Sequence, residues 1–169
     1  MARLLVTVGM GSFPFNRLVA AAAPLCAYHD VFVQTGTSPV TPPCPHAPYV
    51  PFAEMRERLA EADIVITHAG RGTIRLVQRL GGVPVVVARR RALGESRSSH
   101  QESFLRSAEQ TGRLRAVWDV ASLPAVVASH GETAARLAAS RPLPPVLAPE
   151  EMIAALDEIA VRLRGGPLP

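Results

Sequence analysis

Short runs of Val, Ile and Leu alternate along the chain with longer stretches in which apolar residues recur every three or four positions. Near-continuous apolar runs, such as Ile64–Ile66 and Val83–Val87, are typical of strands that are buried on both faces of a parallel sheet. Pro84 is compatible with the start of such a strand, where no ladder donor is yet needed. Strands are therefore predicted at Leu4–Val8, Val31–Gln34, Ile64–Thr67, Val83–Ala88 and Arg115–Trp118.

The stretches between these runs have helical periodicity. In one of them Phe52, Met55 and Leu59 share one apolar face, and glycines such as Gly112 stand where helices should end. Helices are predicted at Phe15–Tyr28, Phe52–Ala62, Gly72–Leu80, Ser99–Thr111, Leu123–Ser129, Glu132–Ala139 and Glu150–Leu163.

The alternation of strands and helices predicts an α/β fold, a Rossmann-like doubly wound parallel sheet within a single domain spanning 1–169. In such a sheet ligands bind at the carboxyl ends of the strands. Function is therefore expected in the segments that follow strands, at Gly9–Pro14, Gln34–Ser38, His68–Thr73 and Arg89–Gln101.

Composition narrows the classes of function. Apolar residues make up 48% of the chain, which argues against disorder, and the 5% of aromatic residues is poor material for stacking nucleic-acid bases. Every basic residue is arginine, which suits a phosphorylated ligand but also follows from genomic base composition. Cys26 and Cys44 are too few for a disulfide framework. With no signal peptide or membrane span recognised, a soluble cytoplasmic protein is expected.

The loop after the first strand, Gly9-Met10-Gly11-Ser12-Phe13-Pro14, resembles a dinucleotide fingerprint but has proline in place of the third glycine. The second strand also ends in Gln34 and lacks the acid that would hold a ribose. NAD binding is therefore not expected. Gly9, Met10 and Gly11 form either a substrate-facing loop or a plain tight turn.

The segment His68-Ala69-Gly70-Arg71-Gly72-Thr73 joins a buried strand to an amphipathic helix. Free amides and the positive end of the helix dipole make this helix start a candidate diphosphate site. The glycines permit close approach, and Thr73 can cap the helix or bind an oxygen. The alternative is a structural turn, and the lysine of a P-loop is absent.

The segment from Arg89 to Gln101 follows the next strand and offers further candidates for contact with a sugar: Arg89, Gly94, Glu95, His100 and Gln101. A run of arginines is also typical of a solvated face. No metal site is expected, because no histidines lie at ligand spacing near an acid. His29, His46 and His130 are interpreted as surface or loop residues.

Taken in order, these segments resemble the glycosyltransferase family 28 C-terminal domain over roughly residues 4–120. The resemblance lies in Val6-Thr7-Val8-Gly9, Pro14-Phe15-Asn16-Arg17-Leu18-Val19, Val33-Gln34-Thr35-Gly36, Ala62–Ile74 and Gly94-Glu95 with His100-Gln101. It is strongest to stand-alone members, namely bacterial exopolysaccharide glycosyltransferase subunits and the cytosolic subunit of the dolichol-linked N-acetylglucosaminyltransferase. The C-terminal helices in 121–164 match only in general character.

The resemblance implies one half of a GT-B fold that binds a UDP-sugar and needs no metal or other cofactor. A separate membrane-associated subunit would hold a lipid-linked or polysaccharide acceptor, and would keep this chain at the inner face of the membrane. Transfer of N-acetylglucosamine or another hexose would proceed with inversion. Gly70, Gly72 and Thr73 would face the diphosphate, and His100 and Gln101 the sugar. The general base would come from the partner, with His68 as a local candidate.

Two departures leave alternatives open. Single-chain relatives carry a ribose-binding Glu near the position of Leu76, beside Arg75, and Met10 replaces a small polar residue. The missing acid favours a non-catalytic Rossmann-like module that stabilises or regulates a partner glycosyltransferase. A sugar-nucleotide epimerase is disfavoured, because it would need two such domains. An apolar helix at Leu18–Tyr28 could serve a homodimer, or could equally be core.

Overall fold

A computed structural model of the protein describes residues 1–140. Its sheet contains six strands: β1 (Arg3–Thr7), β2 (Asp30–Gln34), β3 (His46–Ala47), β4 (Ile64–His68), β5 (Val85–Val87) and β6 (Arg115–Ala116). All neighbouring pairs are parallel, and the order across the sheet is β3-β2-β1-β4-β5-β6. This is the Rossmann order, which confirms the predicted fold class.

The chain reverses its direction of winding between β1 and β4. These central strands pair in register, with Leu4 opposite Ile64 and Thr7 opposite Thr67. The connection that follows β1 and the connection that follows β4 run to opposite faces of the sheet. The two loops therefore diverge and leave a crevice at the carboxyl ends of these strands. The fold therefore places the segments that follow Thr7 and His68 next to each other.

Within residues 1–140, six α-helices cover the sheet: α1 (Asn16–Cys26), α2 (Phe52–Glu61), α3 (Arg71–Arg79), α4 (His100–Gln110), α5 (Leu123–Ala128) and α6 (His130–Ser140). Apolar side chains of α1 and α5 pack on one face of the sheet in a single core cluster. Residues of α2, α3 and α4 pack on the other face in two smaller clusters. Burial on both faces explains the near-continuous apolar runs of the central strands.

The apolar stretch Leu18–Tyr28 has one face in the core, while Tyr28 at its end is exposed. In α1 the side chains of Leu18, Val19, Ala22 and Leu25 are buried against the sheet, and Pro24 lies inside the helix on its exposed side. This stretch contributes its apolar face to the core beneath the sheet, so its hydrophobicity needs no second copy of the chain to explain it.

Most predicted elements are present, and most boundaries move by one to three residues. The exception is β3, where no strand was predicted and His46 was interpreted as a surface or loop residue. It pairs with β2 through Val33 opposite His46, yet its two residues carry no apolar pattern that could have revealed it. The predicted helix Glu150–Leu163 lies outside the described residues.

One pairing of side chains was not predicted, and one expectation about a side chain was wrong. Cys26 and Cys44 form a disulfide, with 5.7 Å between their Cα atoms, because the end of α1 meets the loop that leads into β3. His130 was expected at the surface but is 5% exposed at the start of α6. Its pKa is lowered, first by burial and then by the charge of Arg115. Among residues 1–140, no helix is long and apolar enough to span a membrane.

Candidate functional site

A cleft of about 780 Å³ opens at the carboxyl ends of β1 and β4, where the winding of the sheet reverses. Its walls are the glycine loop after β1, the first turn of α2 and one face of α3. The described residues that line it are Thr7, Gly9, Met10, Gln34, Val50, Pro51, Phe52, Met55, Leu59, His68, Gly70, Gly72, Thr73, Arg75, Leu76 and Arg79.

The imidazole of His68 lies between two glycine backbones at the base of this cleft. A Cβ atom on Gly9 or on Gly70 would overlap the ring. Gly9 also has a φ of +74°, a conformation that glycine adopts without strain. The glycine loop and the turn before α3 therefore meet around one ring, which explains why glycine is needed at both positions.

The pKa of His68 is lowered to about 4, mainly by burial and next by the positive charge of Arg89, while a hydrogen bond to the backbone of Thr7 acts in the opposite direction. Thr67 Oγ1 lies 3.4 Å from His68 Nδ1. The imidazole is therefore neutral at pH 7, where a group with this pKa is a weak general base.

The low pKa of His68 predicts that stability falls on acidification. The unfolded chain binds a proton below about pH 6.5 and the folded chain only near pH 4, so stability is lost as the pH falls through this window. At pH 5 the loss from this group is about 2 kcal/mol relative to pH 7.5. Urea denaturation at both pH values should show a smaller difference for His68→Asn than for the unsubstituted protein. An unchanged difference would assign the pH dependence to other groups.

Helix α3 begins inside the cleft with its amides free. Gly70 is the N-cap and supplies no side-chain cap, and the first turn carries no acidic residue. Gly72 and Thr73 both line the cleft here. The first N–H groups of a helix lack intrahelical partners and carry partial positive charge, so this end of the cleft can bind an anion.

The arginine run that begins at Arg89 was expected to be exposed to solvent, and for Arg89 this expectation was wrong. It is 3% exposed, and its guanidinium donates to the backbone carbonyls of Val8, Phe13 and Glu95. The backbone N–H of Arg89 donates to Gln101 Oε1 at 3.1 Å. Arg89 therefore connects the glycine loop to the segment after β5.

Glu95 is buried and forms an ion pair with Arg17 of α1, at 2.9 Å between Nη2 and Oε2. Arg17 also donates to the carbonyl of Ala88, and Glu95 accepts from the backbone N–H of Arg90. Arg17 belongs to the motif Pro14–Val19, for which the resemblance implied no role. The structure makes it a partner of the site loops.

The remaining predicted residues are divided between two smaller hollows. Gly11, Arg89, Glu95 and Gln101 line a hollow of about 340 Å³ that shares His68 with the main cleft. A further hollow of about 420 Å³ is lined by Ala69, Arg71, His100, Gln101, Ser103 and Phe104. Gly94 lines neither hollow. It ends the 3₁₀ turn Arg91–Leu93 in a left-handed conformation with φ of 69°.

The structure adds cleft residues that sequence analysis did not select. Phe52 and Met55 of α2 line it, as do Arg75 and Arg79 of α3. The apolar pair was visible only as the buried face of a predicted helix, whereas Phe52 is 71% exposed. In residues 1–140 no group of three or more His, Cys, Asp or Glu side chains is placed to hold a metal ion.

Comparison with known proteins matches this architecture. The model of the glycosyltransferase family 28 C-terminal domain matches residues 3–141. The glycotransferase of kitacinnamycin superposes with a TM-score of 0.60 at 19% identity, over 98% of this chain and 43% of that one. MurG from Acinetobacter baumannii gives 0.60 at 18% identity, over 94% and 49%. CalG4, the calicheamicin glycosyltransferase, gives 0.57 at 19% identity, over 98% and 44%.

At these identities the structural likeness concerns the fold alone. The chain spans less than half the length of the solved structures it matches, each of them a GT-B glycosyltransferase. No curated protein sequence matches it. Because the family model extends over most of its length, and the fold is that of one half of a GT-B enzyme, the chain belongs to the glycosyltransferase family 28 C-terminal domain family.

Proposed function

We propose that this chain is the donor-binding half of an inverting glycosyltransferase and that its cleft binds a UDP-sugar by the diphosphate. The start of α3 carries this proposal. Its uncapped amides lie at the reversal point of a Rossmann sheet, beside Gly70 and Gly72, where a phosphate can reach the backbone. Thr73 adds a hydroxyl to the same end of the cleft.

The sugar would extend from the diphosphate past His68 into the hollow lined by Gly11, Glu95 and Gln101. An acceptor oxygen then attacks the anomeric carbon as the bond to the diphosphate breaks, which inverts that centre and releases UDP. The amides of α3 stabilise the charge that develops on the leaving group. Neutral His68 is a weak base, so we assign proton removal from the acceptor to the partner half.

The acceptor half is part of the proposal. The chain spans 43–49% of the GT-B structures it matches, and its cleft opens at the strand ends where a second domain would supply the acceptor. We expect a membrane-associated partner subunit that binds a lipid-linked or polysaccharide acceptor, and that keeps this chain at the cytoplasmic face. The exopolysaccharide role and the transferred hexose belong to the same proposal.

One observation favours the alternative of a non-catalytic module. Leu76 and Arg75 line the cleft where a ribose-binding acid stands in single-chain relatives. Turnover distinguishes the two functions: a catalytic half reconstituted with its partner should transfer sugar and lose that activity on Thr73→Ala. A module that only stabilises its partner would leave transfer unaffected by the same change.

Calorimetric titration with UDP, ADP and NAD tests the donor site directly. We expect UDP to bind, NAD not to bind, and Thr73→Ala to weaken UDP about 10- to 100-fold, the contribution of one hydrogen bond to a charged group. Thr41→Ala, at an exposed threonine away from the cleft, is the matched control and should not change the affinity. Failure of the unsubstituted protein to bind UDP, alone or with a partner, would remove the glycosyltransferase proposal.

A further inference from the structure

We propose that the cleft recognises its nucleotide by charge and not by the ribose 2′-hydroxyl, with Arg75 and Arg79 as charge-binding residues. The site would then accept 2′-deoxyribonucleoside diphosphate donors as well as ribonucleoside ones. This inference rests on the proposed function and specifies the substrate class of the same site. Three features of the described residues carry it: two arginines that have no partner within 1–140, cleft walls to which 1–140 contribute no acid, and an apolar lining.

Arg75 and Arg79 stand one turn apart on the face of α3 that borders the cleft. Within the described part of the chain, neither guanidinium has a hydrogen-bond or ion-pair partner. Helical side chains lean toward the N-terminus of their helix, so Arg75 extends toward the turn at Gly70–Thr73, and Arg79 lies one turn further along the same wall. A diphosphate at the helix start would therefore meet the free amides of α3 and the guanidinium of Arg75, while Arg79 adds positive charge further along the cleft.

Among the residues that the structure describes, no acid of the cleft opposes this charge. None of the described residues that line it is Asp or Glu, and burial keeps His68 neutral at pH 7. Arginine binds phosphate through paired N–H donors and stays charged at all working pH values. Anionic groups are therefore favoured along the length of α3, and the affinity should depend on ionic strength.

The same walls lack a built site for a ribose hydroxyl. At the end of β2, where dinucleotide folds place an acid, Gln34 is buried and accepts a hydrogen bond from Thr7. The neighbouring wall is apolar, with Phe52, Met55 and Leu76. A site that hydrogen-bonds a hydroxyl rejects the analogue without it strongly, whereas an apolar site discriminates weakly against either. The 2′-hydroxyl should therefore contribute little.

The first test compares UDP with 2′-deoxy-UDP, UMP and uridine by calorimetric titration of the full chain. We expect 2′-deoxy-UDP to bind within about threefold of UDP, whereas uridine should bind at least about 100-fold more weakly because its phosphates are missing. A preference of more than about tenfold for UDP over its 2′-deoxy analogue would show that the ribose is read, and would overturn the proposal.

The second test removes the arginines. Arg75→Ala should weaken UDP about tenfold, with a further loss in the double variant with Arg79→Ala, and the dependence of affinity on salt should become shallower. Arg56→Ala is the matched control, because Arg56 is an exposed arginine of α2 that does not line the cleft. Unchanged UDP affinity in the double variant would overturn the proposal.

The outcomes separate this inference from the proposed function. If UDP still binds after both arginines are replaced, or if binding requires the 2′-hydroxyl, recognition by charge is contradicted. The donor site itself is not contradicted by either result. No binding of any nucleoside diphosphate to the unsubstituted chain contradicts the donor site itself. Circular dichroism of each variant distinguishes loss of binding from loss of folding.

Discussion

Replacement of Arg89 by methionine is expected to lower the free energy of unfolding by about 3–5 kcal/mol, because three backbone carbonyls lose their donor at about 1–3 kcal/mol each. Arg89 is 3% exposed and donates to carbonyls on two loops, those of Val8, Phe13 and Glu95. Methionine is apolar and fills part of the same space without donors, so these carbonyls remain buried and unpaired. Urea denaturation at pH 7.5 measures the loss.

Arg91→Met supplies the control for this substitution. Arg91 stands in the same arginine run but is exposed, and its change should alter stability by no more than about 0.5 kcal/mol. Arg89→Lys should be more stable than Arg89→Met but less stable than the unsubstituted protein. The lysine ammonium keeps the charge, but it lacks the planar set of donors with which a guanidinium reaches several carbonyls at once. A loss below about 1 kcal/mol for Arg89→Met would show that other contacts hold the two loops together.

The contrast between Arg89 and Arg91 also shows where sequence reasoning ends. The apolar runs at Ile64–Ile66 and Val83–Val87 predict buried parallel strands because burial on both faces leaves a direct mark on composition. The run Arg89-Arg90-Arg91 carries no comparable mark, since its three residues are chemically identical. Only the twist of the chain after β5 sends the first inward and leaves the third in solvent.

Pairing between distant segments could not be predicted from the sequence either, because residue type does not indicate which partner a residue meets. The two-residue strand β3 is held by hydrogen bonds of its backbone to β2, which any residue can form, so His46 gave no signal. The disulfide between Cys26 and Cys44 and the ion pair between Arg17 and Glu95 likewise depend on which elements meet. The type of a residue indicates which contacts its side chain can form, but the partner depends on which elements the topology brings together.

The candidate site was more accessible to prediction, because a topological rule locates it. Ligands bind where parallel strands end, and this rule selected the segments after Gly9 and His68 before any contact was known. It did not reach Phe52, Arg75 or Arg79, which enter the cleft from helices on one side of the sheet. Helix periodicity places such residues on a face, but the cleft they border depends on how α2 and α3 pack.

The two glycines that enclose His68 give the second large effect. A Cβ atom at either position would overlap the imidazole, and at Gly9 the φ of +74° adds backbone strain. We expect Gly9→Ala to lower the free energy of unfolding by about 2–5 kcal/mol, from overpacking and left-handed strain together. Gly70→Ala should cost about 1–3 kcal/mol, from overpacking alone. Both should weaken UDP binding, and urea denaturation with calorimetry measures the two effects.

Removing the imidazole separates overlap from strain. In a His68→Ala background, Gly70→Ala should cost no more than about 1 kcal/mol, the difference between glycine and alanine at an N-cap, because Gly70 has an ordinary extended backbone with φ of −91°. Gly9→Ala should still cost about 1–2 kcal/mol there, since its left-handed conformation remains. Gly72→Ala, where a Cβ atom meets nothing within 4 Å, is the control and should not destabilise. Equal cost of Gly70→Ala with and without the imidazole would contradict the packing of His68 between the two loops, because a double-mutant cycle measures that contact directly.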